Sequence, residues 1–178
     1  MYQETLDFWF TELEPSQWWV KDDQLDQLII SRYADLHHQA SQCELYNWRI
    51  TASGRLAEVI ILDQFSRNMF RDSAQCFAHD ALALALSQEA VAAGADKCLS
   101  PTQRRFLYMP FMHSESLKIH ETAVTLFQQN GIQANYDFEL KHRQIIEEFG
   151  RYPHRNKILG RASTEKELIF LQQPSSEF

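Results

Sequence analysis

Leu56–Arg71 reads LAEVIILDQFSRNMFR. Leu56, Val59, Ile60 and Leu62 recur at helical spacings, and Ala57 and Ile61 leave hardly any polar face. A helix apolar nearly all round has to be surrounded by others, so residues 54–68 are expected at the centre of a helical array. Ser53 is expected to cap it. The segment then changes character: Asp63, Arg67, Asn68 and Arg71 crowd polar chemistry into its far end.

Outward from this segment, helical periodicity continues and strand alternation is almost absent. Thr5 to about Leu13 forms a short apolar helix that Pro15 ends, and Ser16–Val20 is a connector carrying Trp18 and Trp19. Asp22 to about Ala40 follows, with Leu25, Leu28, Ile29, Tyr33 and Leu36 on one stripe. A helix from about Ala74 to Ala93 stops at Gly94, a residue suited to a left-handed C-terminus. Ser100-Pro101-Thr102-Gln103 pairs a capping box with proline at the first helical position. That helix runs to about Met112, with Pro110 expected to kink or end it. The next spans about Ser114 to Asn130-Gly131, another is capped by Asn135 and stops at Gly150, and Thr164 starts a short terminal one. The result is an all-α domain over 1–178: an antiparallel array of seven or eight helices joined by short connections.

Composition narrows function by exclusion. The chain of 178 residues carries a net charge of −7, against the phosphate neutralisation that nucleic-acid binding needs. The charge is uneven: residues 141–178 hold seven basic and five acidic side chains, leaving room for a small anionic ligand or an acidic peptide. Three scattered cysteines give neither a disulfide framework nor a zinc knuckle, which suits the cytoplasm. No apolar run is long enough to cross a membrane. Metal motifs, Gly-rich phosphate loops and the G-x-S-x-G elbow are missing, so no metal or cofactor is expected.

Three segments hold the remaining polar chemistry: Asp63–Arg71, His113–Glu115 (HSE) and Arg151–Asn156 (RYPHRN). If neighbouring helices alternate direction, all three fall at one end of the array, together with His79 and Asp80. Helices of ~20–27 Å, at 1.5 Å per residue, keep the two ends apart. A ligand site is therefore expected from Asp63, Arg67, Asn68, Arg71, His113, Glu115, His154, Arg155 and Asn156. Arginine forks would hold an anion, and the histidines would tune it with pH.

An enzyme, a hydrolase or lyase, is the rival reading, with His113, Glu115 or His154 as candidate catalytic groups. A third is a helical protein-interaction module. Plainer roles compete throughout: Asp63 and Arg67 as an i,i+4 surface pair, Ser114 as a helix cap, Arg155 as a partner of helix-end carbonyls, His142 as a core residue.

LAEVIILDQFSRNMFR, FLYMPFMHSES and HRQIIEEFGRYPHRNKILGR, with DFWF near the start, resemble the bacterial "domain of unknown function 924" family in the right order over nearly the whole chain. The resemblance implies a tetratricopeptide-like all-α fold of stacked helical hairpins and implies no reaction. Ser66 departs from the family's usual Gln-Phe-Pro-Arg-Asn, replacing a rigid turn element with a hydroxyl.

Overall fold

In a computed structural model that describes residues 2–174, the stretch from residue 52 to 69 is one continuous helical rod. It begins as α3 (Ala52–Ile60), passes through a π-helical turn (Ile61–Phe65) and ends as α4 (Ser66–Met69). Leu56, Ala57, Val59, Ile60, Ile61, Leu62 and Phe65 are all completely buried. Each of the large apolar side chains contributes roughly 1.5–3 kcal/mol through that burial.

The rod's entry is set by a close approach of backbones. Thr51, not the expected Ser53, is the cap, its hydroxyl accepting from Gly54 N at 3.0 Å. A Cβ on Gly54 would lie 2.0 Å from Trp48 O, so only glycine fits there. Glu58 is buried within the rod and is tolerated because Arg49 grips it with two bonds of 2.6 and 2.7 Å.

Around the rod stand α1 (Tyr2–Asp7, continued by a π-helical turn Phe8–Glu12), α2 (Asp23–Ser41), α5 (Asp80–Ala92) and α6 (Pro101–Met112). α7 (Leu117–Asn130), α8 (Gln133–Phe149) and α9 (Glu165–Phe170) follow. Among the described residues there are eight such rods and no strand, an all-α array. Short connections fold α6, α7 and α8 back on one another as antiparallel neighbours. The main core holds α1 to α7, and Ile145, Ile146 and Tyr152 form a smaller one under α9. Trp9, Trp18 and Phe106 meet at 5.1–6.3 Å, and Trp18 donates to Trp9 O at 2.8 Å.

Several boundaries differ from the sequence expectation. Ala74–Phe77 is a separate 3-10 turn before α5, because His79 has left the helical track. α8 starts at Gln133 rather than after an Asn135 cap, with Ile132 extended. Pro110 neither breaks α6 nor ends it; the helix continues to Met112. The capping boxes at Ser100 and Thr164 and the left-handed Gly94, Gly131 and Gly150 stand where the sequence places them.

Candidate functional site

The π-helical turn Ile61–Phe65 sits where the central rod reaches the end of α6. The wider turn shifts the rod's register by one residue, a feature often found at functional positions. Asp63 belongs to this turn and is wholly buried. Its Oδ1 lies 2.7 Å from His113 Nδ1, and Arg67 Nη1 stands 3.1 Å from the same oxygen. Gln64 Nε2 donates to Oδ2.

Burial by itself would raise the Asp63 carboxyl, yet the charge of Arg67 and the contact with His113 together hold it well below the usual carboxylate range. Asp63 is therefore an anion, and an anion here accepts the Nδ1 proton. This fixes the His113 tautomer and leaves Nε2 with a bare lone pair. Burial, then Arg67, lowers the His113 pKa against the opposing pull of Asp63, so the ring is neutral at pH 7. Nε2 has no hydrogen-bond partner among the described residues, and His113 lines a cleft of about 390 Å³.

The cleft lies between α5, the end of α6 and the 3-10 turn Pro153–Arg155. Phe77, Ala81, Leu84, Pro110 and Leu159 make its apolar walls; Asp80, His113, Ser114, Glu115 and Arg155 supply polarity. Asp80 joins two guanidiniums, Arg67 at 3.0 Å and Arg155 at 3.2 Å. Arg155 also donates to His113 O at 3.1 Å, and its guanidinium lies over the rings of Phe77 and Tyr152 at 4.4 and 4.6 Å.

Behind the cleft, His120 Nε2 donates to Ser114 O at 2.9 Å, and its Nδ1 faces Glu139 at 2.7 Å. Burial raises the Glu139 carboxyl. The pair braces the backbone next to His113.

Other expected site residues lie elsewhere or are committed to structure. Arg71 and Asn68 both hold Asp26 of α2, at 2.6–2.8 Å, away from the cleft. Glu115 reaches the cleft wall, but Arg161 grips it at 2.7 and 2.9 Å and Tyr152 N donates to it at 2.7 Å. Its pKa is lowered: burial opposes, and Arg161 and the Tyr152 amide prevail. Asn156 is buried on Glu167, Ser163 and Arg161, an anchor for α9. His154 stands 5.5 Å from the Tyr152 ring, and burial, with Arg155, lowers its pKa to about 4. His142 is a core residue donating to Phe138 O.

Two features go beyond the expected site. Asp80, which the helix order puts at this end but outside the expected ligand residues, is the joint between the guanidiniums. Ser66 adopts φ −57°, a value proline also takes, and its hydroxyl donates to Leu62 O while accepting from His37 Nε2. The departure from the family pattern thus replaces a ring with a buried bond to α2.

A second groove, about 400 Å³ between α8 and α9, is of similar size. Its Lys166–Glu148 pair is solvent-exposed, and it contains no oriented histidine, so the His113 cleft is the stronger candidate. Among the described residues, no group of three His, Cys, Asp or Glu side chains could hold a metal ion, and no helix is long and apolar enough to cross a membrane.

The class of protein the structure defines is an all-α array, here with a carboxylate–histidine pair whose ring lines a cleft. The chain belongs to the family of bacterial proteins of unknown function designated DUF924, whose model matches residues 5–175. It is similar in structure to ATU0120, a protein of unknown function from Agrobacterium tumefaciens, at 37% identity over 96% of both chains with a TM-score of 0.92. Comparison with curated proteins gives no match.

Proposed function

We propose that the cleft binds a small protic molecule and that His113 Nε2 accepts its proton. The observation that carries this reading is the 2.7 Å bond from His113 Nδ1 to buried Asp63, which leaves an unpartnered lone pair on Nε2 of a ring that lines the cleft. A carboxylate behind a histidine is how a neutral imidazole is oriented as a base. The cleft volume falls within the ~300–1,000 Å³ common for small-molecule sites. Arg155 and Asp80 would orient the ligand, while Arg67 supports Asp63 from behind.

Retention of the deprotonated ligand makes this a binding protein. Onward reaction makes it an enzyme with His113 as general base, a second reading that the Asp63 contact specifically favours. Glu115 is a poor base in either case, since Arg161 and an amide occupy its oxygens. A reducing compartment, the cytoplasm, suits a chain whose three cysteines are free.

The test follows the His113 ring nitrogens by long-range proton–nitrogen NMR while a small-molecule collection is added. Wild type should show the Nδ1–H tautomer, and protic compounds should move the Nε2 signal. Asp63→Asn, which no longer requires a donor at Nδ1, should mix the tautomers and weaken binding by tenfold or more. Compounds that bind but never disturb His113 would sink the proposal.

A further inference from the structure

Building on that reading of the cleft, we infer that its ligand is a monoacid with an apolar body, bound with its acid proton on His113; at pH 7 and above, where the free acid is already ionised, that proton is taken up from solvent. The argument is a charge balance. Three guanidiniums stand at or directly behind the wall, those of Arg67, Arg155 and Arg161, and three carboxylates match them, those of Asp63, Asp80 and Glu115. These are also the charged groups nearest His113 from the π-helical turn, α4, α5 and the 151–161 segment, with His142, His154 and the mutually bonded His120 and Glu139 of α7 and α8 beyond them. Neutral His113 leaves the set balanced.

A dianion entering this cleft would lack a counter-charge, and so would a cation; an unpaired charge in a partly buried site is strongly disfavoured. One negative charge can be matched in one way. His113 Nε2 takes a proton, and the imidazolium pairs with the incoming carboxylate. The step balances: the carboxylate, the neutral ring and one solvent proton give an ion pair with no net change in the cleft's charge.

Arg155 adds to the preference for an anion over a neutral protic ligand. Its Nε–H is shielded from water and has no acceptor among the described residues, so part of the guanidinium's positive charge is left without a local partner and favours an anion in the adjoining cleft. The rest of the wall selects the body. Phe77, Leu84, Pro110 and Leu159 offer nothing to a second polar group. At ~30 Å³ per water-sized volume, the space takes a body on the order of a dozen non-hydrogen atoms.

Calorimetry on the full chain supplies the test, in two buffers of different ionisation enthalpy between pH 7 and 8.5, with His113 followed in parallel by NMR. The probes are hexanoate, phenylacetate, N-acetyl-Gly-Leu, succinate, inorganic phosphate and hexanamide. Hexanoate and phenylacetate should bind with uptake approaching one proton, and their affinity should fall about tenfold for each unit rise in pH. N-acetyl-Gly-Leu carries the same carboxylate on a peptide end. Its affinity should be lower than that of hexanoate, because its two amides meet apolar walls; tighter binding of the peptide end would count against the apolar body.

Phosphate or succinate binding at His113 as tightly as hexanoate would overturn it, as would hexanamide doing so or a pH-independent hexanoate affinity. In those cases His113 still responds and the proton-accepting cleft survives. Silence at His113 for every probe ends both. Asp80→Asn gives an independent readout: removing one negative charge should raise phosphate affinity at least tenfold, and no gain counts against the charge balance.

Discussion

Glu115 shows how the partners of one side chain decide its role. Beside His113 and Ser114 it resembles half of an acid–base pair, but both of its oxygens are taken by Arg161 and the Tyr152 amide. It ties the start of α7 to the segment before α9. Glu115→Gln should therefore destabilise the fold by ~1–3 kcal/mol through an under-bonded guanidinium, while leaving the His113 tautomer unchanged. Urea unfolding and the His113 nitrogen spectrum check the two halves. A large change at His113 with unchanged stability would reverse the assignment. Asp63, by contrast, looks in sequence like an ordinary i,i+4 partner of Arg67, and its burial turns the same pair into a rigid support. No spacing rule distinguishes these cases, because what separates them is contact across 50 residues of chain.

At the level of elements, the sequence was clearest where local chemistry acts alone. Ser100 and Thr164 cap through their own hydroxyls, and Gly94, Gly131 and Gly150 stop helices through their own backbones. Thr51, Gln133 and the turn at Ala74–Phe77 were missed because those boundaries depend on what the chain packs against. The clearest such case is Gly54, whose partner is a carbonyl of the preceding turn. Gly54→Ala improves helix propensity by about 1 kcal/mol, yet the new methyl meets Trp48 O at 2.0 Å. Overpacking of this kind costs ~1–3 kcal/mol or more, so the variant should unfold at lower temperature than wild type. Equal or higher thermal stability would mean that the Tyr46–Ile50 turn gives way freely. The π-helical turns were also illegible, because periodicity cannot show one extra residue per turn.

Across the whole molecule, buried neutral histidines link stability to pH. Burial lowers His37 to about 4, with help from His79 and His38, and lowers His142 to about 3 and His154, with Arg155, to about 4. Protonation then favours the unfolded chain. Their contribution is fully present above about pH 6.5 and is lost as pH falls from 6.5 towards 4. Each contributes up to ~1.4 kcal/mol per pH unit in that window. The unfolding temperature should be level from pH 7 to 8 and drop steeply between 6.5 and 4, with the lowered carboxyls of Asp63 and Glu167 adding to the loss below about pH 5. Calorimetric scans across this range decide it; a level profile down to pH 4 would contradict the neutral burial of these rings. The all-α class and the gathering of the His113, Asp63 and Arg155 segments were readable from helix order. Their division between the wall of the cleft and structural stitching was not.

Asp80 clasps Arg67 and Arg155, groups separated by 88 positions along the chain but by one carboxylate in space. During synthesis, therefore, the pit that holds His113 lacks one wall until the ribosome has released Arg155. A nascent chain halted at α8 would contain both His113 and Asp63 but would lack the Arg155 side of the cleft and the second partner of Asp80.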